Sequence, residues 1–299
     1  MVFAAQDLVS DSGFFAAMRE NARQMTAMFA ENPRMNSIFA SQQRWLMAQL
    51  GLSLHYRRKP DSHDKGLYTG RFVALAVEHG IASRNTAGAF VQEMLAYRFV
   101  RHIDNPPDQR MRPLEPTEIA VQSVVKWLYA HLAVLDMLDG GERAVALAAD
   151  PALFARLQPE IAQAILENHR LRNPGKTFDL FTWANSGGVV MDYFIAMIDA
   201  YDPDAPRIPV GMISPAEMSR RYRISKTHLK RLTTRAAELG SLGFEPVSGK
   251  TMSGKPTLWL SQDFVREYRI YQAEKFAIID AAFHRETAPA PVRQLTAVP

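Results

Sequence analysis

Seven Lys and Arg residues and no acid lie between Met218 and Arg235, and a line of Ile, Leu and Ala runs through the same stretch. Cations packed this densely repel one another, and a polyanion that neutralises them releases its own counterions, so the segment favours nucleic-acid phosphates. The spacing of Leu229, Leu232 and Ala236 puts an apolar stripe on one side of a helix, leaving Lys226, Thr227, Lys230, Arg231 and Thr234 on the other. Arg220, Arg221 and Arg223 crowd the turn before it. A helix laid in a major groove needs both faces, one to anchor it and one to meet phosphates and base edges. The competing reading is a solvated basic face. The missing acids and the coincidence with a helix-turn-helix pattern favour the groove.

Other chemistries find less support. The chain has no cysteine, which removes disulfides, thiolate zinc sites and thiol nucleophiles. Its eight histidines show no HExxH or paired ligand spacing, so no metal is expected, and His228 reads as a polar group on the basic helix. Gly249-Lys250-Thr251 is similar to the end of a phosphate-binding P-loop, yet Phe244 stands where that motif needs glycine. No GxSxG or GxGxxG occurs, so neither an enzyme nor a cofactor is expected. The most apolar stretch, GGVVMDYFIAMIDA, is cut by Asp192 and Asp199 and falls short of the roughly 18 residues of a spanning helix, so no membrane partner is expected. The first residues lack a basic segment followed by an apolar run, which fits a cytoplasmic chain.

Several elements are needed to position the basic segment. Over 299 residues the net charge is only +4, but ten acids and five bases lie between Asp139 and Asp204, so the positive field is local. Helical periodicity predicts helices over Asn21 to Phe39, Ser41 to Arg58, Thr69 to His79, Ser83 to Tyr97 and Thr117 to Leu138. Between the last two, FVRHIDNPPDQRMRPLEPT reads as a hairpin. A connecting helix around Leu153 to Glu167 follows, then one from Gly188 to Tyr201 and a turn-rich DPDAPRIPVG. Ser214-Pro215-Ala216-Glu217 is a helix-start signal, opening helices at Pro215 to Tyr222 and Ser225 to Leu239. FEPVSGKTMSGKPTLWL reads as strand, loop, strand, and a helix from Gln262 to Phe283 closes the ordered chain.

The order helix, helix, helix, hairpin, helix thus occurs twice. An ungapped offset of 142 residues lays Ser83 to Val100 on Ser225 to Leu242, matching Phe90 with Leu232, Met94 with Ala236, Tyr97 with Leu239 and Val100 with Leu242. With Ser83, Thr86, Phe90, Met94 and Asp108-Gln109-Arg110 in one copy, and Ser225, Leu229, Leu232 and Ala236 in the other, the chain resembles the winged helix-turn-helix regulators, most closely the MarR family. The second wing lacks the Asp-x-Arg of that pattern.

The resemblance implies a mainly α fold with two winged helix-turn-helix modules, small β-hairpin wings and long joining helices. Residues 1–40 would be N-terminal helices, 41–138 the first module, 139–185 a helical connector, 186–285 the second module and 286–299 a disordered tail. It also implies a sequence-specific double-stranded DNA-binding transcriptional regulator, by default a repressor, acting as a pseudo-dimeric monomer or a homodimer. The first copy would contact DNA through Arg84, Asn85 and Thr86 at its helix start, with Arg101, Arg110 and Arg112 on its wing. The second would use Arg221, Arg223, Ser225, Lys226, Thr227, His228, Lys230 and Arg231, with Lys250 and Lys255 at the wing tip. Residues Ala76 to Glu93 hold one Arg and two Glu, so the second copy should dominate. The cluster Phe178, Phe181, Trp183, Tyr193 and Phe194 admits two readings, core packing, which is favoured, and a pocket for a small aromatic effector. Rival functions are a plasmid-type replication initiator with two winged-helix domains and a protein-interaction module.

Overall fold

A computed structural model describes residues 2–58, 66–104, 112–245 and 256–288. The chain is mainly helical. Helices α1 (Ala5–Ser10), α2 (Phe14–Glu31) and α3 (Pro33–Asn36) precede α4 (Gln42–Tyr56), α5 (Thr69–Glu78) and α6 (Arg84–Ala96). A hairpin of β1 (Val100–His102) and β2 (Leu114–Pro116) leads into the long α7 (Glu118–Asp139). Then come α8 (Arg143–Ala149), α9 (Pro151–Glu167), α10 (His169–Arg172), α11 (Lys176–Trp183) and α12 (Gly187–Ala196). Strand β3 (Arg207–Met212), α13 (Pro215–Tyr222), α14 (Lys226–Glu238), β4 (Leu242–Glu245), β5 (Thr257–Ser261) and α15 (Gln262–Thr287) complete it.

Four boundaries differ from the sequence reading. The helix expected from Gly188 to Tyr201 ends at Ala196. The first long helix begins at Phe14 and ends at Glu31, because Pro33 forces Asn32 out of helical geometry, where its side chain caps α3. The stretch read as a turn at DPDAPRIPVG contains β3, an edge strand in a sheet ordered β3-β5-β4. Burial alternates from Arg207 through Val210 with Pro209 outward, and a bulge lies between Pro209 and Gly211, the setting in which an edge strand tolerates proline. Helix α15 continues through Thr287, so 286 and 287 are helical and not tail; residues 289–299 lie outside the described residues.

One hydrophobic core runs from Leu8 to Phe283. Helix α2 lies between α7 and α12, and α9 between α4 and α15, so the N-terminal and connecting segments are core elements of the whole. Buried Arg143 ties three of these parts together. It donates to Asp280 at 2.7 Å, Asp136 at 3.0 Å and Asp139 at 2.7 and 2.8 Å. These acids hold its guanidinium above the ordinary arginine range, with Asp139 the largest contributor. Glu267 of α15 similarly accepts from Thr177 N at 3.0 Å, Thr177 Oγ1 at 2.6 Å and Phe178 N at 2.9 Å, placing a carboxylate on the N-terminus of α11. Gly175 makes room for it: its φ is +125°, and a Cβ there would sit 2.3 Å from Glu267 Cδ.

The offset of 142 residues holds in the backbone. Ser83 Oγ caps α6 by accepting from Thr86 N at 3.2 Å, and Ser225 Oγ caps α14 by accepting from His228 N at 3.1 Å. After α6, Arg98 takes a left-handed φ of 59° and Phe99 N donates to Met94 O at 2.9 Å. After α14, Gly240 has φ 74° and Ser241 N donates to Ala236 O, again at 2.9 Å. Such a closure satisfies the last helical carbonyls. Thr117 N then donates to Phe99 O, and Ser261 N to Ser241 O, each at 2.9 Å, joining each hairpin to the long helix that follows. Even β3 has a counterpart, since Leu67 O accepts from Leu114 N at 2.8 Å where a third strand would stand.

Candidate nucleic-acid interface

Helix α13 starts on Ser214, whose Oγ accepts from Glu217 N, with Pro215 in the first turn. Met218, Tyr222 and Ile224 are buried, fixing the turn that Arg223 makes in a left-handed conformation of φ 57°. In α14, Leu229, Leu232 and Ala236 are buried as expected, each large apolar group contributing about 1.5–3 kcal/mol. Lys226, Thr227, Lys230, Arg231 and Thr234 are exposed, as are Arg220, Arg221 and Arg223. Spacings of three and four residues place Lys226 beside Lys230 and Thr227 beside Arg231 and Thr234. Among the described residues no carboxylate forms an ion pair with Arg220, Arg221, Arg223, Lys226, Lys230 or Arg231, whereas Arg235 is held by Glu238 at 3.0 Å. Six cations therefore share this surface with no ion pair among the described residues, Glu217 at the start of α13 being the one acid on the same pair of helices before Glu238.

Two expected contacts have other work. His228 is not a free polar group: its Nε2 lies 2.8 Å from Asn185 O, in the turn between α11 and α12, and its Nδ1 lies 3.3 Å from an Arg231 terminal nitrogen. One neutral tautomer serves both, Nε2–H donating to the carbonyl and Nδ1 accepting from the guanidinium. Ser225 Oγ is engaged as the helix cap, leaving only its hydroxyl proton to donate outward. Sequence could not reveal the Asn185 partner of His228, which lies 43 residues away along the chain.

The first copy presents less. Arg84, Asn85 and Thr86 are exposed at the start of α6, but Thr86 Oγ1 lies 2.9 Å from Ser83 Oγ. Arg101 on the hairpin is bound to Glu115 at 2.7 Å, and Glu93 to Arg44 at 2.8 Å. Arg112 is exposed. Arg110, Lys250 and Lys255 lie outside the described residues. Phe90 and Met94 are buried like their partners Leu232 and Ala236, while Tyr97 and Leu239 are both exposed, at 59% and 43%, instead of packing inward. Each is the residue at which its helix ends, which turns it out of the stripe.

In the aromatic cluster, Phe178, Phe181 and Phe194 are fully buried; Phe181 meets Phe194 and Phe264 edge-on, and Phe178 meets Phe264 edge-on. Tyr193 is half-buried against Tyr222, and Trp183 is 39% exposed. Phe181 and Phe194 are core packing, Phe178 is buried at the wall of a cavity, and Tyr193 and Trp183 lie nearer the surface. One cation missed by the sequence reading is Arg207, on the unexpected strand β3, whose guanidinium lies 4.3 Å from the Trp259 ring and 2.9 Å from Glu245.

Among the described residues no His, Asp and Glu group is placed to hold a metal ion, and no helix is long and apolar enough to cross a membrane. No family model, curated protein or solved structure is significantly similar to the chain.

Proposed function

We propose that this chain is a sequence-specific double-stranded DNA-binding transcriptional regulator, a repressor of MarR-like type built from two tandem winged-helix units. The observation that carries the reading is the α13–α14 surface, where six exposed cations lacking any described acid partner stand over a buried spine of Leu229, Leu232 and Ala236. Helix, strand, helix, helix and hairpin, with β3 pairing to the second hairpin strand β5 at the centre of the sheet, is the order of a winged helix. In this reading α14 enters a major groove, and Arg220, Arg221 and Arg223 grip the flanking phosphates. Helix α6 takes the weaker second contact, about 34–36 Å along the duplex if both units engage one face. A fold this dependent on one basic surface binds with strong salt sensitivity.

The test is selection of genomic fragments on the purified full chain, followed by footprinting at two salt concentrations. A protected imperfect palindrome at a promoter supports regulation, and direct repeats at an origin point to replication initiation instead. Absence of any retardation at low salt sinks the DNA reading and leaves a protein-interaction role.

A further inference from the structure

A sizeable cavity lies between the two copies. Its volume is about 680 Å³, and its walls come from α2, α4, α6, α7, α12 and α15. That volume suits a small molecule of drug-like size. Six methionines line it, among them Met28 and Met191, and they make a wall that adapts to a flexible apolar chain. The rim carries an exposed Lys126–Glu31 ion pair at 3.3 Å.

The inner end is polar. Lys275 is only 7% exposed and borders the cavity, yet it makes no hydrogen bond or ion pair with any described residue. Its Nζ lies 5.7 Å from the Tyr271 ring centre and 6.0 Å from that of Trp127. Burial lowers its pKa to about 8 despite the charge of Asp192. Beside it, Gln272 is 3% exposed with its Oε1 unsatisfied. Asp192, the other charged group there, already has a partner, since Tyr268 Oη donates to it at 2.6 Å. Burial raises Asp192 to about 6, against that hydrogen bond and Lys275. A buried ammonium without a partner costs free energy that a carboxylate relieves. The group awaiting a ligand at this end is thus the cation.

We infer that this cavity binds an elongated apolar molecule ending in one carboxylate, its chain along the methionine-lined wall and its carboxylate on Lys275 Nζ. The inference does not depend on the DNA reading, and its measurement uses no DNA, so either can fail alone.

Decanoate, decanol and decylamine, below their micellar concentrations, are titrated into the full chain by calorimetry and tryptophan fluorescence. Trp45 and Trp127 both border the cavity with ring centroids 5.9 Å apart, so occupancy alters their emission. Decanoate should saturate one site and bind about tenfold or more tightly than decanol or decylamine. Lys275→Met should bring decanoate and decanol to equal affinity. Gly188 borders the cavity, and a Cβ there meets nothing within 4 Å, so Gly188→Phe starts its side chain in open space and narrows the cavity. That variant should keep the parent's circular dichroism and melting curve and lose decanoate binding. The proposal is overturned by decanol or decylamine matching decanoate, by Lys275→Met keeping the preference, by a folded Gly188→Phe binding decanoate normally, or by no saturable binding.

Discussion

The two copies share a backbone and differ in what they show to solvent. Both long helices after the turn start on a capping serine, end on a left-handed residue and close through the same hydrogen bond, from Phe99 to Met94 in one and from Ser241 to Ala236 in the other. Yet across the aligned outer faces Lys230 stands where Gly88 does, Arg231 where Ala89 does and Arg235 where Glu93 does. Fold here is specified by caps and buried spacing, and charge is written on top of it. The same division reaches the core, where buried Leu50 of α4 stands at the position that Asp192 occupies in α12.

The largest expected effect lies on the second copy. Lys230→Ala with Arg231→Ala should weaken DNA binding about 100-fold and reduce the salt slope by about two, read by anisotropy across a salt series. An equal loss from alanines on α6 would erase the asymmetry. Next is Asp192. Its folded pKa of about 6 lies above the ordinary 3.8, so its charge destabilises the fold increasingly from about pH 4 to pH 6 and fully above that. Asp192→Asn should therefore be more stable than the parent by about 2 kcal/mol at pH 8 and equal to it below pH 4, measured by urea denaturation.

Transplanting the surface sharpens the comparison further. Gly88→Lys with Ala89→Arg should raise DNA affinity about tenfold and steepen the salt slope, because the backbone is already in place. The left-handed residues predict opposite signs. Arg98→Gly should stabilise the chain by about 1 kcal/mol, and Gly240→Ala should destabilise it by about as much, in thermal melts. Smallest is Arg84→Ala, with a loss of about threefold or less in the same anisotropy assay.

How far sequence reached depended on whether a feature is local. The α14 stripe and its basic face were legible because period, cap and charge fall within one stretch. Strand β3 was hidden because Pro209 and Gly211 are turn-forming residues and its pairing comes from the distant β5. The aromatic residues gave their burial correctly except at Trp183, which lies at the last position of α11. Neither His228's hold on Asn185 nor the meeting of Lys275 with the cavity could be read, since each needs helices brought together by the whole core. The ends of α6 and α14 were read at Tyr97 and Leu239, but the offset alignment gave no sign that both side chains turn outward there.

The clasp between Glu267 and the start of α11 carries a mechanical consequence. Helix α14 is moored to the far end of that short helix through His228 and Asn185, and Ser241 reaches back to Thr177 at 3.2 Å. The basic head and the 26-residue shaft of α15 are therefore geared as one solid piece. A slide or tilt of that shaft against α9 and α1 would carry to the head through these bonds, giving whatever grips that distant seam leverage over its aim.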